Sequence, residues 1–413
     1  MNNLTLLLLL FKRGDILLVP NKEQAEIIKA AVHWYYHESE QVFQFAGKAG
    51  RGKTFVLHKI IQALGIPLER IAPMSYIGCA SLVMRTKGLT NAKTIHSWLF
   101  NPIEGFKYDK DGNIVKDNYL NRPIMELHFE PKPLDNIDLI IIDEGGTCPK
   151  YLKSEIESRG IKIIVCGDLS QLPPVGDDPA YLVSGKIHML IEPMRQAKDS
   201  AILWLAERAL DGYPIHPGYY GDCLVIYEDE LTDEMIKMSD IIICGKNYTR
   251  DLINKNVRRN ILNKKGELPT FGEKLICKKN NWKCEVDGIN LTNGLVGTVI
   301  NSPSIDGFDG KSFTIDFKPD ILNTYFSKLK CDYNYLIAPH DKRQYLKNDK
   351  YSPGNKFEFA YAITTHSSQG SQFYNGIYIR EYLSRDIQKN LDYTAITRFS
   401  NAMIYVIKRK KYY

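Results

Sequence analysis

The segment from Phe43 to Thr54, Phe-Gln-Phe-Ala-Gly-Lys-Ala-Gly-Arg-Gly-Lys-Thr, constrains the fold more than any other. An apolar strand runs into G-x-x-x-x-G-K-T, the glycine-rich turn that wraps nucleotide phosphates. From Gly47 through Ala49, Gly50, Arg51 and Gly52, the glycines let successive backbone N–H groups turn inward at the start of a helix, forming an anion-binding nest. Lys53 is then placed to reach the β and γ phosphates, and the Thr54 hydroxyl to hold Mg²⁺. A strand before the loop (Val42 to Phe45) and helical periodicity after it (Phe55 to Leu64) give it the context it needs. The chain is therefore expected to bind and hydrolyse a nucleoside triphosphate.

Two later segments supply the rest of that chemistry. Leu139-Ile140-Ile141-Ile142 is a buried-strand run that ends in Asp143 and Glu144, where an α/β sheet presents catalytic groups at its C-terminal edge. Asp143 is expected to hold Mg²⁺, directly or through water, and Glu144 to orient or deprotonate the attacking water, because phosphoryl transfer rests on positioning and charge neutralisation. Gly167-Asp168-Leu169-Ser170-Gln171 ends another strand and offers Gln171 as a neutral sensor of the γ-phosphate.

Composition bounds the alternatives. A chain of 413 residues with 44% hydrophobic content is expected to split into two or three domains. Its eight cysteines contain no C-x-x-C pair, and several lie in apolar runs where thiols act as small hydrophobes. That argues for a reducing cytoplasm and against structural zinc. His33 and His37 share a helix face but have no third ligand in view. A net charge of +6 permits a polyanionic partner without demanding one. Leu6 to Phe11 is too short to span a bilayer and lacks the flanks of a signal peptide, so it reads as a buried strand or a packed helix, with no membrane partner. The basic tail from Lys408 to Lys411 reads as a solvated end, with contact to nucleic-acid phosphate as the alternative.

Apolar runs at Val42 to Phe45, Arg70 to Ala72, Leu139 to Ile142, Lys162 to Cys166, Ile241 to Cys244, Phe357 to Ile363, Gly376 to Ile379 and Met403 to Ile407 alternate with helical patterns. This is the grammar of parallel α/β sheets, here in two domains facing each other across a cleft. Two stretches interrupt it. The polar stretch from Trp98 to Pro133 carries Asp109-Lys-Asp-Gly-Asn113 between Phe106 to Tyr108 and Ile114 to Val115, a predicted β-hairpin. The stretch from Asn263 to Gly354, rich in glycine turns, predicts a small β-barrel.

The order Gln24, Gly47 to Thr54, Ala72-Pro73, Thr94-Ile95-His96-Ser97, Asp143-Glu144, Gly167 to Val175, Met194-Arg195-Gln196, Thr364 to Gly370 and Tyr393-Thr-Ala-Ile-Thr-Arg398 resembles superfamily 1 helicases of the RecD and phage Dda type. The resemblance spans about Asn21 to Val406. It implies an α/β fold of two RecA-like P-loop domains, with the hairpin inserted in the first and an SH3-like barrel in the second. The expected boundaries are 1–97 and 134–194 for the first RecA-like domain, 98–133 for the hairpin, 195–262 and 355–413 for the second RecA-like domain, and 263–354 for the barrel. It further implies that Gln24 reads the adenine edge of ATP, and that Arg195 and Arg398 neutralise the γ-phosphate from the second α/β domain. Gln369 and Gly370 match the segment that links nucleotide to DNA.

The same resemblance places single-stranded DNA across the tops of both α/β domains, with Pro73, Ser75, Thr94, His96, Thr365 and His366 in matching positions. Trp98 or Phe100 is a candidate for base stacking, although Trp98 reads equally as a core residue. The hairpin from Phe106 to Val115 resembles a strand-separating pin, and Leu291 to Gly297 resembles the Asn-Gly turn of the SH3-like domain. Three departures stand out: Met74 then Ser75 where threonine usually follows Ala-Pro, Gly145-Gly146-Thr147 after the acidic pair, and Lys48 in place of a proline in the phosphate loop. The implied activity is an ATP- and Mg²⁺-dependent helicase that moves 5′ to 3′ on single-stranded DNA and acts at duplex junctions, with replication or recombination proteins as possible partners. Two other readings are a translocase that displaces proteins and unwinds little, and a non-motor accessory that uses ATP as a switch.

Overall fold

The computed structural model describes residues 19–116, 123, 125–194, 199–306, 311–348 and 354–409. The Leu6 to Phe11 run, Arg195, Gln196 and the tail residues Lys410 and Lys411 lie outside them. Two compact units emerge, Met1–Ser75 with Leu134–Ser200, and Tyr76–Pro133 with Ala201–Tyr413.

In the first unit, parallel strands stand in the order Ile71–Ser75, Leu139–Asp143, Lys162–Gly167, Val42–Gly47 and Ile187–Leu190. Leu139, Ile140, Ile141 and Ile142 are fully buried, as a central parallel strand covered on both faces requires, and each such side chain contributes about 1.5–3 kcal/mol. The helix Lys22–His37 starts where the Asn21 side chain accepts from the Gln24 N–H while the Gln24 side chain accepts from the Asn21 N–H. It turns Ile27, Ile28, Ala31 and Trp34 inward at helical spacing. The helix Lys53–Leu64 buries Val56, Leu57, Ile60 and Leu64 and stops at Gly65, whose φ of 66° closes the last turn. Because the strands are parallel, the segments following Val42–Gly47, Leu139–Asp143 and Lys162–Gly167 all leave from one sheet edge.

The second unit contains another parallel sheet, in the order Ala362–Thr364, Ile241–Cys244, Phe373–Ile379, Phe399–Ile407 and Cys223–Tyr227, with Gly218–Tyr220 antiparallel at its edge. The run from Phe357 to Ile363, read above as one strand, divides between two sheets. Phe357–Phe359 pairs antiparallel with Lys274–Cys277, whereas Ala362–Thr364 pairs parallel with Ile241–Cys244. The Asn254 side chain holds the crossing point, donating to the carbonyls of Phe359 (2.9 Å) and Ala362 (3.0 Å) and accepting from the Ala362 N–H (2.8 Å). Buried backbone groups at a sheet change need partners, and this amide supplies three.

Lys274–Cys277, Val296–Val299, Ser312–Pro319 and Phe326–Asp332 form the body of an antiparallel sheet curled around Leu275, Val299, Phe313, Ile315, Phe317, Phe326 and Phe357. Cys79 and Leu82, on the helix Gly78–Thr86, join the same core. The arms that pair near residue 100 are Phe100–Phe106 and Met125–Pro131, longer than and displaced from the predicted Phe106 to Val115 hairpin. Tyr108 and Ile114 make a single bridge about the Asp109–Asn113 turn, whose carboxylate accepts from the Asp111 and Asn113 N–H groups.

Phe317 is fully buried and its ring meets that of Phe357 edge-on, with centroids 4.9 Å apart. Phe317→Ala is expected to lower the unfolding free energy of the second unit by about 3–5 kcal/mol in urea titrations followed by tryptophan fluorescence.

Candidate active site

The phosphate loop owes its shape to two residues in the left-handed region, Gly50 (φ 74°) and Gly52 (φ 84°). At Gly52 a Cβ would also lie 2.7 Å from Gln24 Nε2 and 3.0 Å from Met194 Sδ, so both conformation and space require glycine. Gly47 is packed as closely, since a Cβ there would sit 2.8 Å from that of Leu190. Gln24 is buried and its amide lies 3.5 Å from the Arg51 carbonyl, which sets it against the loop. Lys53 donates to the carbonyls of Gly47 (2.7 Å) and Lys48 (3.2 Å), and its ammonium stands 4.0 Å from Asp168 Oδ2.

Asp143 Oδ1 accepts from the Glu144 N–H (2.9 Å) and from the Cys166 thiol (3.2 Å). Burial first, then the Asp143 charge, pushes that thiol well above the ordinary cysteine range, so it stays a donor to the carboxylate. Glu144 has φ 54° and ψ 42°, a conformation that costs a side-chain-bearing residue about 1–2 kcal/mol and is typical of functional turns. Gln171 Nε2 lies 3.5 Å from Glu144 Oε1, while Gln171 Oε1 is buried with no hydrogen-bond partner among the described residues. An acceptor in that position suits a water or phosphate hydroxyl held beside Glu144. The glycines after the acidic pair also have a local cause: a Cβ on Gly145 would fall 2.3 Å from Val165 Cγ1.

Thr54 and Asp143 offer the hard oxygen donors that Mg²⁺ takes, with phosphate and water completing its shell. Among the described residues no group of three or more His, Cys, Asp or Glu could hold a metal by itself.

In the second unit, two short helices begin with the same device. Thr94 caps Ile95–Leu99 by accepting from the Ser97 N–H, and Thr364 caps Thr365–Ser368 by accepting from the Ser367 N–H. The repeated Thr-x-His-Ser string is the sequence sign of both. His96 lies among Tyr76, Phe100 and Phe129, with centroids 5.6–6.1 Å away. Trp98 is half-buried under the Lys93 ammonium, 5.7 Å from its centroid. Thr365 is fully buried and donates to the Cys244 carbonyl (3.3 Å). Gly370 (φ 74°) abuts Ile77 and Ala80, where a Cβ would come within 2.9 Å.

Arg398 is buried, and its guanidinium donates to the carbonyls of Thr394 (3.1 Å) and Ser371 (3.4 Å) and to the Thr397 hydroxyl (3.4 Å). No carboxylate pairs with it among the described residues. In the first unit, Pro73 and Ser75 lie in a buried strand, and the Ser75 hydroxyl is buried with no partner among the described residues. Sequence reasoning missed Glu23, whose carboxylate accepts from the N–H groups of Ile191 (2.9 Å) and Glu192 (3.0 Å) and ties the first helix to the end of the Ile187–Leu190 strand. It also missed the Cys166 thiol on Asp143; the sequence carries no signal for either, since both contacts are set by the sheet.

Burial lowers the pKa of both His96 and His366 below the ordinary 6.5. The folded chain thus favours neutral rings and the unfolded chain binds more protons as the medium acidifies. Thermal stability is expected to hold from pH 8 to 7 and to fall below about pH 6.5, with His96→Gln flattening the fall in a thermal-melt series across pH.

Comparison with known proteins agrees with this architecture. The sequence profile of the AAA domain family matches residues 20–209. An uncharacterised protein of Methanocaldococcus jannaschii is 25% identical over 449 aligned positions, covering 88% of this chain and 36% of that protein. The ATP-dependent DNA helicase Pif1 of a Psychrobacter strain is 28% identical over 145 residues, 32% of this chain and 19% of that protein. The chain thus spans about a third or less of these relatives' length. The crystal structure of a Bacteroides Pif1 helicase with ADP-AlF3 and single-stranded DNA shares the fold at a TM-score of 0.53 and 16% identity, over 95% of this chain and 92% of that one. Residues 20–209 thus match the AAA domain family, and the chain as a whole shares the fold of that helicase structure.

Proposed function

We propose that the chain is an ATP-dependent DNA helicase that translocates on single-stranded DNA, 5′ to 3′, and separates duplex at junctions. One observation carries this reading: the phosphate loop, the Asp143–Glu144 pair and Gln171 all follow strands that end at one edge of one sheet. In this reading the loop amides and Lys53 bind the β and γ phosphates, and Gln24 contacts the base. Lys53 exchanges its carbonyl partners at Gly47 and Lys48 for phosphate oxygens. Thr54 and Asp143 would hold Mg²⁺, which supplies charge neutralisation on the phosphates. Glu144 takes a proton from the attacking water while Gln171 holds that water through its unpartnered oxygen. Arg398, a buried cation with no counter-ion among the described residues, is assigned to the γ-phosphate, and Arg195 is proposed beside it from the motif order alone.

DNA is assigned to the end of a buried strand in the first unit, Pro73 to Ser75, and to the two short capped helices in the second, Thr94 to Trp98 with Thr365 and His366. Thr94 and Thr365 already spend their hydroxyls within the protein, which favours backbone amides of the capped helices as the phosphate donors there. Paired arms of seven residues, about 24 Å long, favour strand separation over translocation alone. The proposed domain boundaries remain those read from the sequence. Eight free cysteines, seven of them buried, support a reducing cytoplasmic setting, and no helix among the described residues is long and apolar enough to cross a membrane.

Glu144→Gln separates a motor from an ATP switch. ATP affinity is expected to stay within a few-fold, while hydrolysis and fork unwinding fall by about 10²-fold or more, the contribution of a general base. Unchanged hydrolysis in a quench-flow assay would contradict the assignment.

A further inference from the structure

The parallel sheet of the second unit ends on one side in a cleft of ≈ 810 Å³ that the activity above does not use. Five cations line it: Arg380, Arg385, Lys389, Lys408 and Arg409. Among the described residues the only carboxylate in its lining is Asp392. That group is buried and already accepts from the Tyr378 hydroxyl (2.6 Å), Gln388 (2.8 Å) and Arg380 (2.9 Å). Asp229, outside the lining, pairs with Arg409 at 2.9 Å, and the Arg409 guanidinium lies 4.2 Å over the Tyr227 ring. Arg385 and Lys408 are exposed and make no ion pair among the described residues. Lys389 donates to the Asp211 carbonyl at 3.3 Å.

Between these cations stand two tyrosines with open faces, Tyr213 (60% exposed) and Tyr382 (64% exposed). Packing does not call for exposed rings there. Tyr213 is braced by Arg208, which lies 5.5 Å from its centroid and donates to the Pro214 carbonyl. Interleaved cations and aromatic faces are the means by which a single strand is held without regard to sequence, phosphates on the cations and bases on the rings. An acidic peptide would use the charges and leave the rings idle.

Topology adds the second argument. Tyr227 ends one parallel strand, Arg380 and Lys408 directly follow two others, and the Thr365–Ser368 helix follows a fourth. From Ala362–Thr364 the sheet passes through Ile241–Cys244 and Phe373–Ile379 to Phe399–Ile407, three steps of about 4.8 Å. The cleft therefore lies on the same edge as the proposed DNA segment, about 14 Å along it.

We propose that this cleft is a second binding site for single-stranded DNA, taking a stretch of the strand beyond the part held at Thr365 and His366. The site rests on the reading that the chain acts on single-stranded DNA. It makes affinity depend on strand length, and it is separable from catalysis because none of its cations is assigned to the nucleotide.

The test is fluorescence anisotropy of the full chain with labelled oligothymidines of about eight and about twenty nucleotides across a salt series. Wild type is expected to bind the longer strand more tightly than statistical spacing alone allows. Arg385→Ala/Lys389→Ala is expected to weaken the longer strand on the order of tenfold and to reduce its log–log salt slope by about 1.4, two phosphates at ~0.7 each. Its affinity for the short strand and its ATP turnover should stay unchanged. Tyr382→Ala should weaken the longer strand with no change in slope. Normal binding by both variants, with length dependence intact, overturns the second site and leaves the helicase reading standing. Failure of wild type to bind either oligothymidine overturns both.

Discussion

The nucleotide end of this protein depends on one peptide that only glycine can make. At Gly52 the backbone takes φ 84° while Gln24 and Met194 crowd the place a Cβ would occupy. That turn aims the loop amides at one point and starts the helix that carries Lys53 and Thr54. The crowding also ties three remote segments together, because Gln24 comes from the first helix and Met194 from beyond the last strand of the unit. The Met194 N–H donates to the Gly50 carbonyl at 3.0 Å, and Glu23 fixes the backbone at Ile191 and Glu192. A loop built this way is already shaped before nucleotide arrives, so binding costs little ordering.

The acidic side of the site is held with the same economy. Glu144 sits in a strained left-handed turn, which the glycines that follow make possible, since Gly145 lies against Val165 with no room for a side chain. Asp143 is oriented by a backbone N–H and by a thiol that burial keeps protonated. Oxidation of Cys166 would remove that donor, so a reducing environment serves the site as well as the fold.

What could be read from the sequence was what depends on neighbours in the chain. The phosphate loop and the Leu139–Asp143 strand declare themselves through spacing, because a few consecutive residues decide each one. Gln24 was legible only through the family's motif order, and its place in the helix cap with Asn21 is added by the structure. The run from Phe357 to Ile363 was misread as one strand because both halves are equally apolar; the division is made by Asn254, a hundred residues earlier. The hairpin was placed at its best local turn, Asp109 to Asn113, yet the paired arms are set by matches between residues 100–106 and 125–131 that no local pattern encodes. Ser75 was read as a surface contact from its place in a motif, and its burial follows from strands on the sheet around it.

The central claim is that turnover at the phosphate loop is driven by a DNA strand. It is tested most directly by steady-state ATP hydrolysis of the wild-type chain and of Lys53→Ala, with and without oligothymidine, at low and moderate salt. The account predicts strong stimulation by the strand, weakened as salt rises because phosphate contacts release counterions, and no turnover in the variant. Hydrolysis that is indifferent to the strand, or that survives loss of Lys53, would contradict it.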